Sequence, residues 1–192
     1  GSNKTSVIVS SQATLNASDN SGAGIYSVNV ENFTLDLQPG SSTSFNENGQ
    51  GICMNTDYSG SVNINVNASA LNILGNKSNG VTGQNKPYIL DIKNNGQVNV
   101  NENGGVGINN FYIKLDGETS KLSVSNNKSH GATNVAFDAT NGATAQFNDN
   151  AYIGLNITKY NEGKSSTDIA DSTVQANSNG GPGIRFYKFQ GI

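Results

Sequence analysis

One short phrase recurs seven times along the chain: an apolar residue, two spacers, Asn, a short turn and Gly, followed in six copies by a second apolar residue. Ala17-Ser-Asp-Asn20…Gly24-Ile25 is the first copy. The anchor asparagines are Asn20, Asn48, Asn76, Asn103, Asn127, Asn150 and Asn177, at steps of 28, 28, 27, 24, 23 and 27 residues. A period in this range indicates a solenoid, in which each repeat is one structural unit stacked on the next.

Each repeat contains three short stretches with the pattern of a strand. Apolar residues alternate just before the Asn, as in Leu71-Asn-Ile73, which is the period-2 signal of a strand with one buried face. A second stretch begins at the Gly, and a third alternating run follows, as in Phe33-Thr-Leu35-Asp-Leu37. No helical pattern is present in the sequence. The repeats therefore predict an all-β solenoid, a parallel β-helix of about seven coils of 23–28 residues that occupies residues 1–192 as one domain.

Stacking of the coils places residues at equal offsets from the Asn above one another. The column three residues before the Asn is apolar and reads Ala17, Phe45, Ile73, Val100, Val124, Phe147 and Val174. The seven anchor asparagines are predicted to form an inward ladder, each amide bonding its neighbours and the turn backbone. A two-sheet sandwich is the alternative fold. It would also show frequent turns, but it gives no reason to repeat one Asn-Gly phrase.

Composition narrows the functional classes. The net charge is −3 and only 13% of residues are charged, so no basic cluster is available to neutralise nucleic-acid phosphates. No apolar run approaches the length of a membrane span, so membrane insertion is not expected. Cys53 is the only cysteine, which excludes an intrachain disulfide. One Cys, one Met and no Trp fit an exported bacterial surface protein.

The sequence offers little catalytic chemistry. His130 is the only histidine and lies in a turn, where it is predicted to be exposed, and no zinc-protease, Cys-x-x-Cys or phosphate-loop motif is present. No catalytic residue and no cofactor are therefore predicted. Asp19 and Glu47 would stack beside the Asn turns, where carboxylate and amide oxygens suit Ca²⁺, and they are the calcium candidates. A plain solvated edge is the alternative for this acidic column, which other residue types interrupt.

Aromatic and polar residues in the less regular segments are candidates for a sugar-binding surface, because loops could project there from the rod. These candidates are Tyr58, Tyr88, Tyr112, Tyr160, Lys86, Lys93 and Lys114. The alternative is that some of these tyrosines pack against strand faces.

The recurring phrase, shown by Val98-Asn-Val-Asn-Glu-Asn-Gly-Gly-Val-Gly-Ile108, resembles the pectate-lyase-like adhesive domains of Gram-positive cell-wall-anchored adhesins. Autotransporter passenger domains and phage tailspikes are built from the same kind of stacked β-helix coils. The resemblance implies a right-handed β-helix in a secreted, wall-attached protein that binds host or mucus glycans, polysaccharide or extracellular matrix. It also implies a piece of a longer surface protein. Independently of the resemblance, Gly1-Ser2 looks like the scar of a removed tag. The chain is expected to be monomeric.

Pectate lyases themselves use an acidic Ca²⁺ cluster and a catalytic Arg on one face of the helix. Arg185 is the only arginine, and the sequence gives no way to assemble acids around it. The chain is therefore expected not to be an enzyme, since fold resemblance alone does not carry activity. A polysaccharide lyase or hydrolase and a structural spacer are the two alternatives.

Overall fold

The computed structural model describes residues 4–28, 30–55, 61–84, 88–158 and 167–187, and all of their helix or strand structure is β. In chain order the strands are β1 (Lys4–Val9), β2 (Thr14–Asn16), β3 (Ala23–Val28), β4 (Asn32–Leu37), β5 (Ser42–Ser44), β6 (Gln50–Asn55), β7 (Ser61–Asn67), β8 (Ala70–Leu74), β9 (Val81–Gln84), β10 (Tyr88–Lys93), β11 (Gln97–Asn101), β12 (Ile108–Asn109), β13 (Phe111–Asp116), β14 (Lys121–Ser123), β15 (Ala132–Thr140), β16 (Thr144–Gln146), β17 (Leu155–Thr158), β18 (Asp168–Ile169), β19 (Thr173–Gln175) and β20 (Ile184–Tyr187). Among the described residues no helix is present that is long and apolar enough to cross a membrane.

The strands form three parallel sheets, which the chain visits in turn. Sheet A holds β1, β4, β7, β10, β13, β15 and β18; sheet B holds β2, β5, β8, β11, β14, β16 and β19; and sheet C holds β3, β6, β9, β12, β15, β17 and β20, with β15 running through both A and C. Each strand pairs in parallel with the strand one repeat away. The fold is thus all-β and of the right-handed parallel β-helix class, which confirms the prediction. The seven strands of sheet B are separated by six coil-to-coil steps, about six turns.

The interior is a set of apolar columns that run along the solenoid. In β4 the side chains of Phe33, Leu35 and Leu37 are buried and alternate with outward residues. The register of sheet A then stacks Leu35 on Ile64 and Ile64 on Leu90. Because the pairing keeps inward residues above inward residues, one continuous core fills the space between the three sheets.

The seventh repeat differs from the predicted alignment by two residues. Val174 pairs with Ala145, which lies five residues before the ladder residue Asn150. In the last coil the position three residues before the ladder Asn is therefore occupied by Ala176. Gly183-Ile184 then provides the Gly and apolar residue of this copy, since Ile184 pairs with Leu155. The ladder position is therefore Asn179 and not Asn177, and the last step is 29 residues. Strand alternation has a period of two, so a slip of two residues preserves the local pattern.

Candidate ligand-binding face

The outward side chains of sheet A lie in columns along the solenoid. The central column carries most of the charge and reads, after the exposed Ile8 of β1, Asp36, Asn65, Asp91, Lys114, Asp138 and Asp168. On one side of it lie Thr34, Asn63, Ile89, Tyr112 and Ala136, and on the other Asn67, Lys93, Asp116 and Thr140. Together these three columns form the sheet A face. Neighbouring residues in a column are separated by about 4.8 Å, the spacing of paired strands.

A tyrosine, a lysine and an aspartate meet at the centre of this face. Tyr112 Oη donates a hydrogen bond to Asp138 Oδ2 at 2.5 Å, and Lys114 Nζ lies 4.9 Å from the centroid of the Tyr112 ring. Burial raises the pKa of the Tyr112 hydroxyl, and the negative charges of Asp168 and Asp91 raise it further. Tyr112 therefore stays protonated at neutral pH and acts as a hydrogen-bond donor.

Polar contacts continue on both sides of this centre. Lys93 Nζ lies 3.0 Å from Asp91 Oδ2, with side chains 41% and 25% exposed. Asp116 Oδ1 accepts hydrogen bonds from Thr140 Oγ1 at 2.8 Å and from the Asn141 amide at 2.6 Å. Ion pairs this exposed contribute little to stability, about 0–1 kcal/mol. The face is thus a regular array of carboxylates, amines and hydroxyls in which solvent reaches the charged groups.

The structure places the predicted sugar-binding residues in different surroundings. Tyr112, Lys93 and Lys114 lie together on the sheet A face. Tyr88 does not reach the surface: it is fully buried, its ring centroid lies 5.6 Å from that of Phe111, and its hydroxyl donates to the Gln84 carbonyl. It begins β10 at an inward position, which removes it from the candidate surface. Tyr58, Tyr160 and Lys86 lie outside the described residues.

Six of the predicted anchor asparagines, from Asn20 to Asn150, occupy one column with Asn179 at the corner between sheets B and C. Asn48, Asn76, Asn103, Asn127 and Asn150 are buried, whereas Asn20 in the first coil is exposed. The backbone N–H of each ladder residue from Asn20 to Asn150 donates to the amide oxygen one coil further on. The side-chain amides of Asn20, Asn76, Asn103, Asn127 and Asn150 donate to the same oxygen. In one step, Asn76 N and Nδ2 lie 3.1 and 2.9 Å from Asn103 Oδ1. The other amide hydrogen bonds to a carbonyl of the preceding coil, as from Asn76 to Phe45. These bonds satisfy polar groups inside the corner, which is a structural role.

A second column of side-chain acceptors lies two residues before the ladder Asn of each coil, and the repeated phrase did not predict it. Ser18 Oγ accepts from Asn46 N at 3.1 Å, and Asn46 Oδ1 accepts from Leu74 N at 3.0 Å. At the other end Asn148 Oδ1 accepts from Asn177 N at 2.9 Å. Donors here belong to the later coil, so this outer column runs opposite in direction to the Asn ladder. Asn177 belongs to this column.

Asp19 and Glu47 occupy the residue directly before the ladder Asn. Both are exposed and adopt the left-handed backbone, with φ of 62° and 55°. Gly75 and Asn126, which tolerate this conformation best, take the same place in other coils. The residue before the ladder Asn thus supplies the left-handed backbone conformation of the turn. In the described part of the chain no group of three or more His, Cys, Asp or Glu residues is arranged to hold a metal ion.

His130 is half-buried and not exposed as predicted. Its Nδ1 accepts a hydrogen bond from Ile153 N at 3.2 Å, and its ring centroid lies 5.5 Å from that of Tyr152. Two coils earlier in the same column, Asn79 Oδ1 accepts from Val106 N at 2.8 Å, so the two side chains perform the same task in different coils. Burial lowers the pKa of His130, and the positive charge of Arg185 lowers it further.

This contact predicts a stability loss in mild acid. Because the folded-state pKa lies below the ordinary value of 6.5, the unfolded chain binds the proton more readily. The contribution of His130 is therefore fully present above that value and is lost as pH falls below it. His130→Asn retains an acceptor that does not titrate, and we expect it to remove this part of the pH dependence. Urea unfolding of both proteins across this pH range measures the difference.

His130→Ala is the matched control, and we expect it to lose about 1 kcal/mol at neutral pH because the Ile153 N–H loses its acceptor. An identical slope of stability against pH in the wild type and in His130→Asn would contradict this role of the imidazole.

The aspartates of the sheet A face were not among the predicted site residues. Asp91 and Asp138 become neighbours of Lys114 only when the third strand of each repeat is aligned. The sequence signal for them is weak: each is a single charge between two buried apolar residues, as in Leu90-Asp91-Ile92. Aligning the third strands of successive repeats would have placed them in one column.

Comparisons of this chain with models of known protein families, with curated proteins and with solved structures found no match.

Proposed function

We propose that this chain is a non-catalytic ligand-binding segment of a Gram-positive surface adhesin, secreted and attached to the cell wall, and that it binds glycans through the sheet A face. The observation that carries the proposal is the grouping of Tyr112, Lys114 and Asp138 at the centre of a regular polar array. The resemblance of the repeated phrase to adhesive β-helix domains supports the setting at the bacterial surface.

The chemistry of the face suits a carbohydrate. Carboxylates such as Asp91 and Asp138 accept hydrogen bonds from sugar hydroxyls, whereas the amines of Lys93 and Lys114 donate to them. An aromatic ring such as that of Tyr112 offers an apolar surface with a polar tip. Each contact is weak, but the contacts repeat from coil to coil, and many copies on one cell would add avidity. The mechanism is multipoint contact along a rigid rod.

A glycan array, together with mucin and matrix-protein binding assays, tests the proposal. We expect Tyr112→Ala and Asp138→Asn to weaken binding of the ligands found for the wild type by about tenfold, the effect of losing roughly 1.4 kcal/mol. Gln146→Ala is the matched control on the outer face of sheet B, and we expect it to bind normally. Parallel measurements with Ca²⁺ and with EDTA determine whether binding needs the ion.

Two outcomes would replace the proposal. Binding at background for every glycan, mucin and matrix protein would favour a structural spacer. Depolymerisation of pectin or of a host glycan, lost in Arg185→Ala, would identify a polysaccharide lyase or hydrolase.

A further inference from the structure

The charged groups of the sheet A face alternate in sign from strand to strand. In the central column Lys114 lies between Asp91 and Asp138, each one coil step of about 4.8 Å away. In the next column Lys93 is the neighbour of Asp116. A charged group on a ligand would therefore meet attraction and repulsion within one coil step, whichever its sign.

Both lysines of the face already have a partner within it. Lys93 Nζ lies 3.0 Å from Asp91 Oδ2, and Lys114 Nζ lies over the Tyr112 ring, 4.9 Å from its centroid. A lysine ammonium has three N–H groups, so each amine keeps donors for a further oxygen. The lysines can thus donate to a sugar hydroxyl without leaving these contacts, whereas an anion would compete with them.

The aspartates are held in the same way. Asp138 accepts hydrogen bonds from Tyr112 Oη at 2.5 Å and from Asp168 N at 3.0 Å. Asp36 Oδ2 accepts from the Gln38 amide at 2.5 Å. An ionised carboxylate has about four acceptor positions, so these groups are positioned and still accept from a ligand hydroxyl.

The face also holds the whole negative excess of the chain. Its three columns contain five aspartates and two lysines, which are Asp36, Asp91, Asp116, Asp138, Asp168, Lys93 and Lys114. The sequence has 14 acidic and 11 basic residues, so the remaining nine of each sign balance. Neighbouring charges one coil step apart are closer than the Debye length of about 8–10 Å, and together they repel an approaching anion.

An apolar strip lies beside the central column. Ile89, Tyr112 and Ala136 share one outward column on β10, β13 and β15, and Ala136 is only 5% exposed. From the first residue to the last the strip measures two coil steps, about 10 Å, which is comparable with a disaccharide. A pyranose ring has C–H groups on its faces and hydroxyls around its edge. It can therefore cover this strip while its hydroxyls reach the central column.

We propose that the sheet A face selects uncharged glycans and discriminates against sialylated, sulfated and uronic-acid glycans. This inference rests on the proposed glycan binding by the face and adds the chemical class of the ligand. A hydroxyl both donates and accepts, so it fits Asp91 and Lys114 alike. A sugar carboxylate or sulfate would lose water beside the aspartates and gain no unpaired amine in return. The aspartates thus contribute to specificity by repulsion.

Glycans that share a backbone and differ in charge test this selectivity on the intact chain. The probes are lactose with sialyllactose, and one chitin oligomer in N-acetylated, deacetylated and O-sulfated forms. Each neutral glycan that binds on the array is also compared with its acidic counterpart. We expect the acidic member of each pair to bind at least about tenfold more weakly. Binding of the neutral members should change little between low and high salt, since it forms no ion pair.

Charge reversal on the face should shift the selectivity. Asp36→Lys/Asp168→Lys replaces two aspartates of the central column and changes the excess from three negative charges to one positive charge. We expect the ratio of acidic to neutral glycan binding to rise by about tenfold. Glu47→Lys/Glu102→Lys is the matched control. It makes the same change in net charge at exposed turn residues between sheets B and C, and the ratio should stay that of the wild type.

The outcomes separate this inference from the proposed function. Stronger binding of sialylated or O-sulfated glycans, or of the deacetylated chitin oligomer with a steep salt dependence, would overturn the selectivity and leave glycan binding intact. Binding at background for every glycan would overturn both. An equal rise of the ratio in the two double variants would also contradict the inference, because the charge of the whole chain would then set the selectivity.

Discussion

Asn103→Ala is expected to lower the free energy of unfolding by about 3–5 kcal/mol, because it breaks the Asn ladder at its centre. Asn103 is fully buried, and its Oδ1 accepts from both Asn76 N and Asn76 Nδ2. Its Nδ2 donates to Asn127 Oδ1 at 3.0 Å and to the Ile73 carbonyl at 3.2 Å. Truncation to Ala removes all four side-chain bonds.

The expected cost arises mainly from the groups left behind. Asn76 N–H and the Ile73 carbonyl would remain in a buried corner without these partners, and an unsatisfied buried group costs about 1–3 kcal/mol. Water could relieve this only by entering a cavity the size of an amide. Asn103→Asp gives a second measure of the same site: it keeps the acceptor but loses the donor and adds a charge, so we expect it to be destabilising near neutral pH and less so in acid.

Urea unfolding measures both variants, and Asn99→Ala is the matched control in the same coil. Asn99 is half-buried on the outer face of sheet B, and its amide donates one bond, to Asn72 Oδ1 at 2.9 Å. We expect it to cost less than about 1 kcal/mol. Equal losses for Asn99→Ala and Asn103→Ala would show that the ladder contributes no more than an ordinary surface amide.

Gly107→Ala is expected to cost about 3 kcal/mol or more, because the added methyl group has no space. A Cβ at this position would lie 2.5 Å from the Gly131 carbonyl oxygen, 2.6 Å from Val124 Cγ1 and 2.8 Å from Asn127 Nδ2. One of these atoms is backbone of the next coil and another is part of the ladder. Relief of the overlap therefore separates two coils or displaces the asparagine.

Gly22→Ala is the control for this prediction, since a Cβ there meets no heavy atom within 4 Å. We expect it to be neutral or to stabilise by up to about 1 kcal/mol through the unfolded state. Thermal unfolding monitored by circular dichroism distinguishes the two, provided both proteins keep the β spectrum of the wild type. A Gly107→Ala protein as stable as Gly22→Ala would mean that the coils can move apart at little cost.

Residues near each ladder Asn were predictable, because their roles follow from local spacing. The period of the phrase predicted the solenoid, and alternation before the Asn predicted the inward residues such as Ile73 and Val100, both fully buried. The ladder Asn was predicted wrongly only in the last copy of the phrase. Val174-x-x-Asn177 and Ala176-x-x-Asn179 both satisfy the pattern, and pairing of Val174 with Ala145 selects the second.

Residues far from the Asn were harder to place, because the connections between sheets C and A vary in length. β6 ends at Asn55 and β7 begins at Ser61, whereas β12 ends at Asn109 and β13 begins at Phe111. The offset from the Asn therefore says little about register in sheet A. Tyr88 was predicted to be a surface aromatic residue in an irregular segment, but the pairing of β10 places its side chain in the core.

The sequence by itself determined the coil, its period and its apolar interior, since these depend on residues close together in the chain. The tertiary structure decided which polar residues share the sheet A face. Asp91, Lys114 and Asp138 are brought together only by parallel pairing across whole repeats. The same pairing gives the two hydrogen-bonding columns their opposite directions, which no single repeat contains.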